Sequence, residues 1–222
     1  KPVIVVIMAG SAINLSEAQE KANAVVQAWY PGEEGGNALA SVLFGSFNPC
    51  GRLPVTFYQS TDELPDFTDY SMEGRTYRYM KNDALYPFGY GLSYTEFTYS
   101  GLNISQKEIK AGESIQAAVT VKNTGSYDGY EVAQLYIKHE EASVVVPKWT
   151  LAGIKCLHLK KGEEKILSFN ITPDKMAVID NEGQAIIEPG DFTIFIGGSQ
   201  PDKRSEKLTG KKVLNTKFTI NK

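Results

Sequence analysis

The second half of the chain consists of short segments in which apolar and polar residues alternate, and this pattern restricts the possible folds more than any other feature. Alternation with a period of two places the apolar side chains on one face, so each segment predicts a half-buried strand. The odd-numbered positions from Ile115 to Val121 are all apolar, for example, and a turn follows at Asn123-Thr124-Gly125. Seven such segments are present: Tyr99–Ile104, Ser114–Lys122, Glu131–His139, Leu151–Leu159, Glu164–Ile171, Asp191–Gly197 and Val213–Ile220.

Seven short strands separated by turns predict an all-β domain over residues 98–222. The expected architecture is an antiparallel sandwich of the immunoglobulin-like or fibronectin type III-like kind. The segment Gln200–Lys212 is polar and charged, which predicts a mobile hairpin loop between the last two strands.

Residues 1–68 follow a different pattern, in which continuous apolar strands alternate with helices. Val3–Met8 and Ala24–Tyr30 have the composition of parallel strands buried on both faces. Helices are predicted to begin at Glu17 and to cover Ala38–Gly45. A third extended piece, Leu53–Tyr58, is expected at a sheet edge because its second residue is a proline. The order strand, helix, strand, helix predicts an α/β layer fold.

Three strands and two helices are too few for an independent α/β domain. We therefore interpret residues 1–68 as an α/β remnant, a partial parallel sheet with helices. The expectation is that the chain is the C-terminal part of a larger protein whose remaining strands lie elsewhere.

The segment Asp69–Phe97, called the strap below, connects the two patterns and is rich in aromatic residues. It holds six of the twelve tyrosines of the chain, and three cationic residues lie among them: Arg75, Arg78 and Lys81. A flexible linker would be rich in Gly or Ser, whereas aromatic side chains with polar tips suit a partly buried seam. We interpret the strap as an interdomain connector pressed between two folded bodies. The alternative is a tyrosine-rich hairpin inside a single sandwich.

Charge and composition exclude several kinds of partner. The net charge is −3; residues 1–98 carry 6 Lys+Arg and 11 Asp+Glu, and the remaining residues carry 17 and 15. Neither half has the basic stripe of a nucleic-acid-binding protein, and no apolar run approaches the roughly 18 residues of a membrane span. The two cysteines, Cys50 and Cys156, are far apart and provide too few soft ligands for a metal site. No cofactor is expected.

Few residues are obvious candidates for catalysis. Glu33 and Glu34 follow a strand of the α/β part, where sites form in such folds, but a helix N-terminus favours their charged forms and makes them poor proton donors. Adjacent carboxylates are also too close together to act as a paired acid and nucleophile, so structural capping of the helix is preferred over catalysis. His139 and His158, the only histidines, are interpreted as ordinary strand residues. Arg75 and Arg78 could bind a carboxylate or phosphate ligand, although stacking on aromatic rings or fixing one domain to the other is the preferred interpretation.

Four motifs resemble the C-terminal region of glycoside hydrolase family 3 enzymes, the β-glucosidases and β-xylosidases. Ala28–Tyr58 reads AWYPGEEGGNALASVLFGSFNPCGRLPVTFY, and the strap ends in PFGYGLSYTEF. The strings EVAQLY at Glu131–Tyr136 and PKWTLAG at Pro147–Gly153 are similar to the fibronectin type III-like domain of that family. The resemblance covers essentially the whole chain.

The resemblance implies a parent enzyme, a hydrolase of carbohydrate metabolism, that cleaves terminal β-linked sugars with retention through a covalent intermediate. In the family, an N-terminal barrel carries the nucleophile and the acid/base segment precedes the strand that matches Val3–Met8. No catalytic residue is therefore assigned here, and the chain alone is expected to be inactive. Arg75, Tyr77 and Tyr79 are kept as candidate substrate-binding residues in the pocket wall.

The partners that the resemblance implies are a β-linked oligosaccharide or glycoside, bound by the full-length enzyme, and the missing N-terminal barrel domain. A periplasmic or secreted location is favoured on the same ground. The alternative is a stand-alone carbohydrate-binding or adhesion module, in which the sandwich presents exposed aromatic residues such as Trp149 to glycans.

Overall fold

The structure, a computed structural model, describes residues 1–222. The α/β part contains two parallel strands and two helices: β1 (Ile4–Ile7), α1 (Ser16–Lys21), β2 (Ala24–Gln27) and α2 (Gly35–Leu43). β1 and β2 pair in register from Ile4 opposite Ala24 to Ile7 opposite Gln27. β2 is shorter than the predicted Ala24–Tyr30, because the backbone enters the left-handed region at Trp29 with φ 54°.

The two-stranded sheet is more exposed than its sequence demands. Parallel strands of this composition are normally covered on both faces, yet Ile4 is 46% exposed and its neighbour Val3 54% exposed. Met8, directly after β1, is 65% exposed. The apolar surface of β1 thus lacks the neighbours that its composition predicts.

The predicted edge strand Leu53–Tyr58 is not a regular strand. Only Phe57 forms a bridge, and its partner is Tyr86 in the strap. Pro54 has no N–H to donate, and the strap backbone opposite this piece is irregular, so a continuous ladder cannot form. Phe57 is 1% exposed and packs with Leu15 and Leu85 in a small second core. This piece of chain therefore joins the α/β part to the strap.

The strap contains one short helix, α3 (Thr76–Tyr79), and is followed by the sandwich strands. The principal strands are β3 (Phe97–Ile104), β4 (Glu108–Lys110), β5 (Ile115–Asn123), β6 (Gly129–His139), β7 (Thr150–Leu159), β8 (Glu164–Ile171), β11 (Gly190–Gly197) and β12 (Leu214–Asn221). β9 (Val178–Ile179) and β10 (Ala185–Ile186) form a small separate hairpin. All seven predicted strands are present. The sequence did not predict β4, because three residues are too few to show an alternating pattern.

Two sheets pack face to face in the sandwich. One has the strand order β4-β12-β11-β6-β7 and the other β3-β5-β8. A single core of 19 buried residues lies between them and includes Val119 of β5, Leu135 of β6 and Ile194 of β11. The predicted fold class, an α/β remnant followed by an all-β sandwich, is confirmed.

The predicted mobile loop at Gln200–Lys212 contains a helix instead, α4 (Lys203–Thr209). The Asp202 side chain accepts a hydrogen bond from the Ser205 backbone N–H at the N-terminus, and Gly210 ends the helix with φ 68°. Both are ordinary capping signals. The polar composition of the segment concealed them, because an exposed helix needs few apolar residues.

Candidate functional site

The strap lies against β6 and β7 of the sandwich, and Tyr77 is at the centre of this contact. Its ring stacks on Phe88 of the strap at 4.3 Å and meets Tyr136 of β6 edge-on at 6.2 Å. The Tyr77 hydroxyl accepts a hydrogen bond of 3.2 Å from the backbone N–H of Leu151. Aromatic pairs in these geometries add stability beyond their buried area, so Tyr77 has a structural role.

Gln134 of β6 connects the strap to the sandwich from a buried position. Its Nε2 donates to the Gly89 carbonyl oxygen at 2.9 Å and to the Gly198 carbonyl oxygen at 3.0 Å. Its Oε1 accepts a bond of 2.6 Å from the Tyr136 hydroxyl. Burial, with smaller contributions from Tyr77 and Asp202, raises the pKa of Tyr136 and keeps its hydroxyl available as a donor.

A buried ion pair joins the α/β part to the sandwich. Arg52 Nη2 lies 2.8 Å from Glu131 Oε2, and the two side chains are 9% and 4% exposed. The Tyr99 hydroxyl donates to the other carboxylate oxygen of Glu131 at 2.7 Å. Desolvation, followed by the charge of Glu131, raises the pKa of Tyr99. A polar-lined crevice of about 200 Å³ opens beside this pair.

Two further cationic residues of the sandwich bind the strap through its backbone. Arg204 of α4 donates from Nε to the Ala84 carbonyl oxygen at 3.1 Å and from Nη2 to the Leu85 carbonyl oxygen at 2.9 Å. The backbone N–H of Lys148 donates to the Arg78 carbonyl oxygen at 2.8 Å, and Lys148 Nζ donates to the Met80 carbonyl oxygen. The strap is therefore fixed to the sandwich between Arg78 and Gly89.

The three candidate substrate-binding residues have different surroundings. Arg75 Nη2 donates to the Asp66 and Asp69 carbonyl oxygens at 3.0 and 2.8 Å, so its guanidinium group closes a loop of its own chain. Tyr77 is engaged as described above. Tyr79 is half-buried in α3, and its hydroxyl makes no hydrogen bond within the chain. Tyr79 thus keeps its hydroxyl free, whereas the Tyr77 hydroxyl and Nη2 of Arg75 are engaged.

The remaining candidates show no catalytic arrangement. Glu33 and Glu34 are exposed where α2 begins, and Glu34 accepts a bond of 2.6 Å from the Asn37 side chain without capping the helix. His158 is exposed and packs edge-on against Tyr130. No group of three or more His, Cys, Asp or Glu residues is placed to hold a metal ion. No helix in the structure has both the length and the apolar character needed to cross a membrane.

Sequence reasoning missed Arg52, Glu131 and Gln134. Glu131 could have been found, because it shares the core face of β6 with apolar residues at every second position. A charged residue on a core face needs a partner. The partner itself, 79 positions earlier in the chain, gave no comparable signal.

Two family models match the chain along most of its length. Residues 1–94 match the glycosyl hydrolase family 3 C-terminal domain, and residues 131–200 match the fibronectin type III-like domain. The chain corresponds to the C-terminal region of glycoside hydrolase family 3 proteins. The strap up to Tyr94 thus falls within the first family model.

Curated family 3 relatives are similar over nearly all of this chain. A xylan 1,4-β-xylosidase of Xylanibacter ruminicola is 44% identical over 210 residues, which is 94% of this chain and 24% of the relative. A periplasmic β-glucosidase of Salmonella typhimurium is 38% identical over 89% of this chain and 27% of its own length. The chain therefore spans about a quarter of the length of these relatives.

Solved structures of the family share the fold. β-Glucosidase 3B of Thermotoga neapolitana, in complex with glycerol, has a TM-score of 0.86 and 28% identity over 100% of this chain and 32% of its own. A mutant β-glucosidase of Listeria innocua, in complex with laminaribiose, has a TM-score of 0.82 and 30% identity over 100% of this chain and 31% of its own.

Proposed function

We propose that this chain is the C-terminal part of a retaining β-glycosidase, a β-glucosidase or β-xylosidase that hydrolyses terminal β-linked sugars. One observation carries the proposal: the chain matches such enzymes over nearly its whole length but spans only about a quarter of theirs. Its own role is to support the structure and the pocket, and the nucleophile and the acid/base residue lie in the rest of the enzyme.

The proposed partner is the remainder of that enzyme, with its N-terminal barrel domain. Fourteen of the 21 exposed large hydrophobic residues lie within residues 1–94, although this part is less than half of the chain. Phe44 at 86% exposed and Met8 at 65% exposed are examples. Exposed apolar side chains concentrated in one region indicate an interaction surface. The unpaired edge of β1 supports the same partner, since a strand edge invites pairing.

The first test is the activity of the isolated chain. Purified 222-residue protein is expected to release no product from an aryl β-glucoside or an aryl β-xyloside, because both catalytic groups are supplied by other segments. The full-length enzyme, prepared in parallel, is the positive control. Turnover by the isolated chain that persists at constant specific activity through further purification would overturn this assignment.

We further propose the division of the chain into 1–68, the strap at 69–97 and the sandwich at 98–222, with Arg75, Tyr77 and Tyr79 in the wall of the pocket. The free hydroxyl of Tyr79 favours this residue as the one that contacts a glycoside. Arg75 and Tyr77 support it, since Nη2 of Arg75 and the Tyr77 hydroxyl are already engaged. A sugar approaching the strap would find a half-buried aromatic ring with a polar tip.

Substitutions in the full-length enzyme separate these roles. Tyr79→Ala is expected to raise KM for an aryl glycoside by roughly tenfold, which corresponds to one lost contact of about 1.4 kcal/mol. Its Tm is expected to fall less than that of Tyr77→Ala, because the Tyr79 hydroxyl has no partner and its ring is not stacked. Tyr77→Ala, the matched variant two residues away, is expected to lower Tm by several degrees because a stacked, partly buried ring is removed. An unchanged KM in Tyr79→Ala would remove this residue from the pocket wall.

The alternative, a stand-alone carbohydrate-binding module, gains no support from Trp149. Its side chain is partly buried, and the indole N–H is enclosed without a hydrogen-bond partner. A ring in this position cannot offer its polar edge to a glycan. Calorimetry with a soluble β-glucan or xylan is therefore expected to show no binding by the isolated chain.

A further inference from the structure

His139, the last residue of β6, lies at an unusual position for a histidine. Its side chain is 4% exposed, and its ring stacks on Phe192 of β11 at 4.2 Å with planes 10° apart. Neither ring nitrogen has a hydrogen-bond partner, although both are enclosed. Buried polar atoms are nearly always partnered, so this imidazole requires an explanation.

The surroundings of the ring contain one nearby carboxylate. Glu188 Oε2 is 4.0 Å from Nδ1. On the opposite side Nε2 lies against Gly190, where a Cβ atom would be only 2.9 Å away, and it has no hydrogen-bond acceptor. A charged imidazolium donates from both nitrogens. The site could satisfy at most one of these donors, and only after Glu188 moves.

Other charged groups are present but engaged. Glu140, the next residue, accepts hydrogen bonds from Lys138 and Thr193. The positive charge of Lys217 on β12 contributes to lowering the pKa of Glu140. The Asp191 carboxylate accepts a hydrogen bond of 2.7 Å from the Thr219 hydroxyl. Burial lowers the pKa of His139 below its ordinary 6.5, although the charges of Glu188 and Glu140 act in the opposite direction.

Glu188 also holds the segment of residues 140–149, called the latch loop below. Its Oε2 accepts a bond of 3.0 Å from the Ser143 backbone N–H, and its Oε1 accepts from the Ser143 hydroxyl. These bonds lower the pKa of Glu188 and keep it charged. The carboxylate nearest to His139 is therefore the one that fixes the latch loop.

The far end of the latch loop binds the strap. Lys148 donates from its backbone N–H to the Arg78 carbonyl oxygen and from Nζ to the Met80 carbonyl oxygen. Because only a few residues separate Ser143 from Lys148, a displacement of Ser143 can be transmitted along the loop to the end of α3. This short connection places His139 and the strap at the two ends of one loop.

We propose that His139 and Glu188 form a pH-sensitive latch, in which the neutral imidazole permits the latch loop to stay closed and proton uptake releases it. A proton on Nδ1 draws Glu188 Oε2 away from the Ser143 N–H, because one oxygen cannot serve both donors at their present separation. The second N–H, on Nε2, remains buried without an acceptor, which favours opening. This inference stands independently of the glycosidase assignment.

The sign of the effect follows from the direction of the pKa change. A histidine whose pKa is lower in the folded state binds its proton first in the open or unfolded state. The closed state of the latch loop is therefore fully stable above about pH 6.5. It loses stability as the pH falls from there through the lowered pKa that His139 has in the folded state.

Amide hydrogen exchange tests the latch in the 222-residue chain. Protection factors, corrected for the intrinsic pH dependence of exchange, are to be compared at about pH 7.5 and about pH 5, the range in which histidines titrate. We expect protection in residues 141–148 to fall by about tenfold at the lower pH, because proton uptake by a single group changes an equilibrium by at most tenfold for each step of one in pH. Protection in β5 is expected to stay unchanged.

Three variants decide between outcomes. His139→Phe keeps the stack on Phe192 and is expected to abolish the pH dependence, whereas His158→Phe, which changes the exposed histidine, is expected to retain it. Glu188→Gln keeps an acceptor for Ser143 and is expected to move the midpoint to lower pH, so it tests the latch even if His139→Phe fails to fold. An unchanged midpoint in Glu188→Gln, or pH-independent protection in the unsubstituted chain, overturns the proposal.

Discussion

Glu131→Ala is expected to lower the free energy of unfolding by about 3–5 kcal/mol, the usual cost of removing one partner from a buried ion pair. The variant removes the carboxylate partner of Arg52, whose side chain is 9% exposed in the unsubstituted protein. It also removes the acceptor of the Tyr99 hydroxyl. Urea unfolding followed by tryptophan fluorescence measures the loss.

Two controls separate the buried pair from general effects of charge. The double variant Arg52→Met, Glu131→Leu is expected to recover most of the loss, since apolar replacement of both partners is often close to neutral. Glu17→Ala removes an exposed pair with Lys21 and is expected to cost about 0.5 kcal/mol or less. A loss below about 1 kcal/mol in Glu131→Ala would show that water already reaches Arg52.

The second large effect is expected from Gly89→Ala, at the point where the strap meets Gln134. Gly89 has φ 78°, which costs an L-residue about 1–2 kcal/mol. A Cβ atom there would also overlap Gln134 Oε1 and lie 2.8 Å from the Tyr136 hydroxyl. Overpacking adds about 1–3 kcal/mol, so a total loss of about 2–5 kcal/mol is expected from urea unfolding.

Gly162 provides a matched control for this substitution. It has the same φ of 78°, but nothing lies within 4 Å of the position of its Cβ atom. Gly162→Ala is therefore expected to show only the backbone part of the cost, about 1–2 kcal/mol. Equal losses in the two variants would mean that the strap can move away from Gln134 at little cost, contrary to the contacts described.

The sandwich could be predicted from the sequence because the alternation of its strands is a local property. Residues such as Ile115 and Val119 indicate a buried face at every second position. α4 was within reach for the same reason, since the cap residues Asp202 and Gly210 flank it directly. The prediction of a mobile loop, which rested on polar composition alone, was wrong.

The surroundings of the candidate site residues are set by contacts between residues that are distant in sequence. The local alternation of apolar and polar residues does not predict such contacts. Tyr77 and Tyr79 are two positions apart and of the same type, yet only Tyr77 meets a backbone N–H donor from β7. Arg75 has a structural role, as its place in the aromatic strap predicts, but its partners are the carbonyl oxygens of Asp66 and Asp69 and not aromatic rings. Such distinctions require the fold of the strap, because a side chain's partner is set by tertiary packing.

The sandwich holds the strap through main-chain carbonyl oxygens. Gln134, Lys148 and Arg204 donate to five of them in total: Arg78, Met80, Ala84, Leu85 and Gly89. Every residue carries a carbonyl group, so these bonds depend on the path of the strap and not on which side chains it carries. The exception is position 89, where that path requires glycine. A different strap with the same backbone course could be exchanged into this protein, and its outward side chains could then be chosen freely for a new ligand.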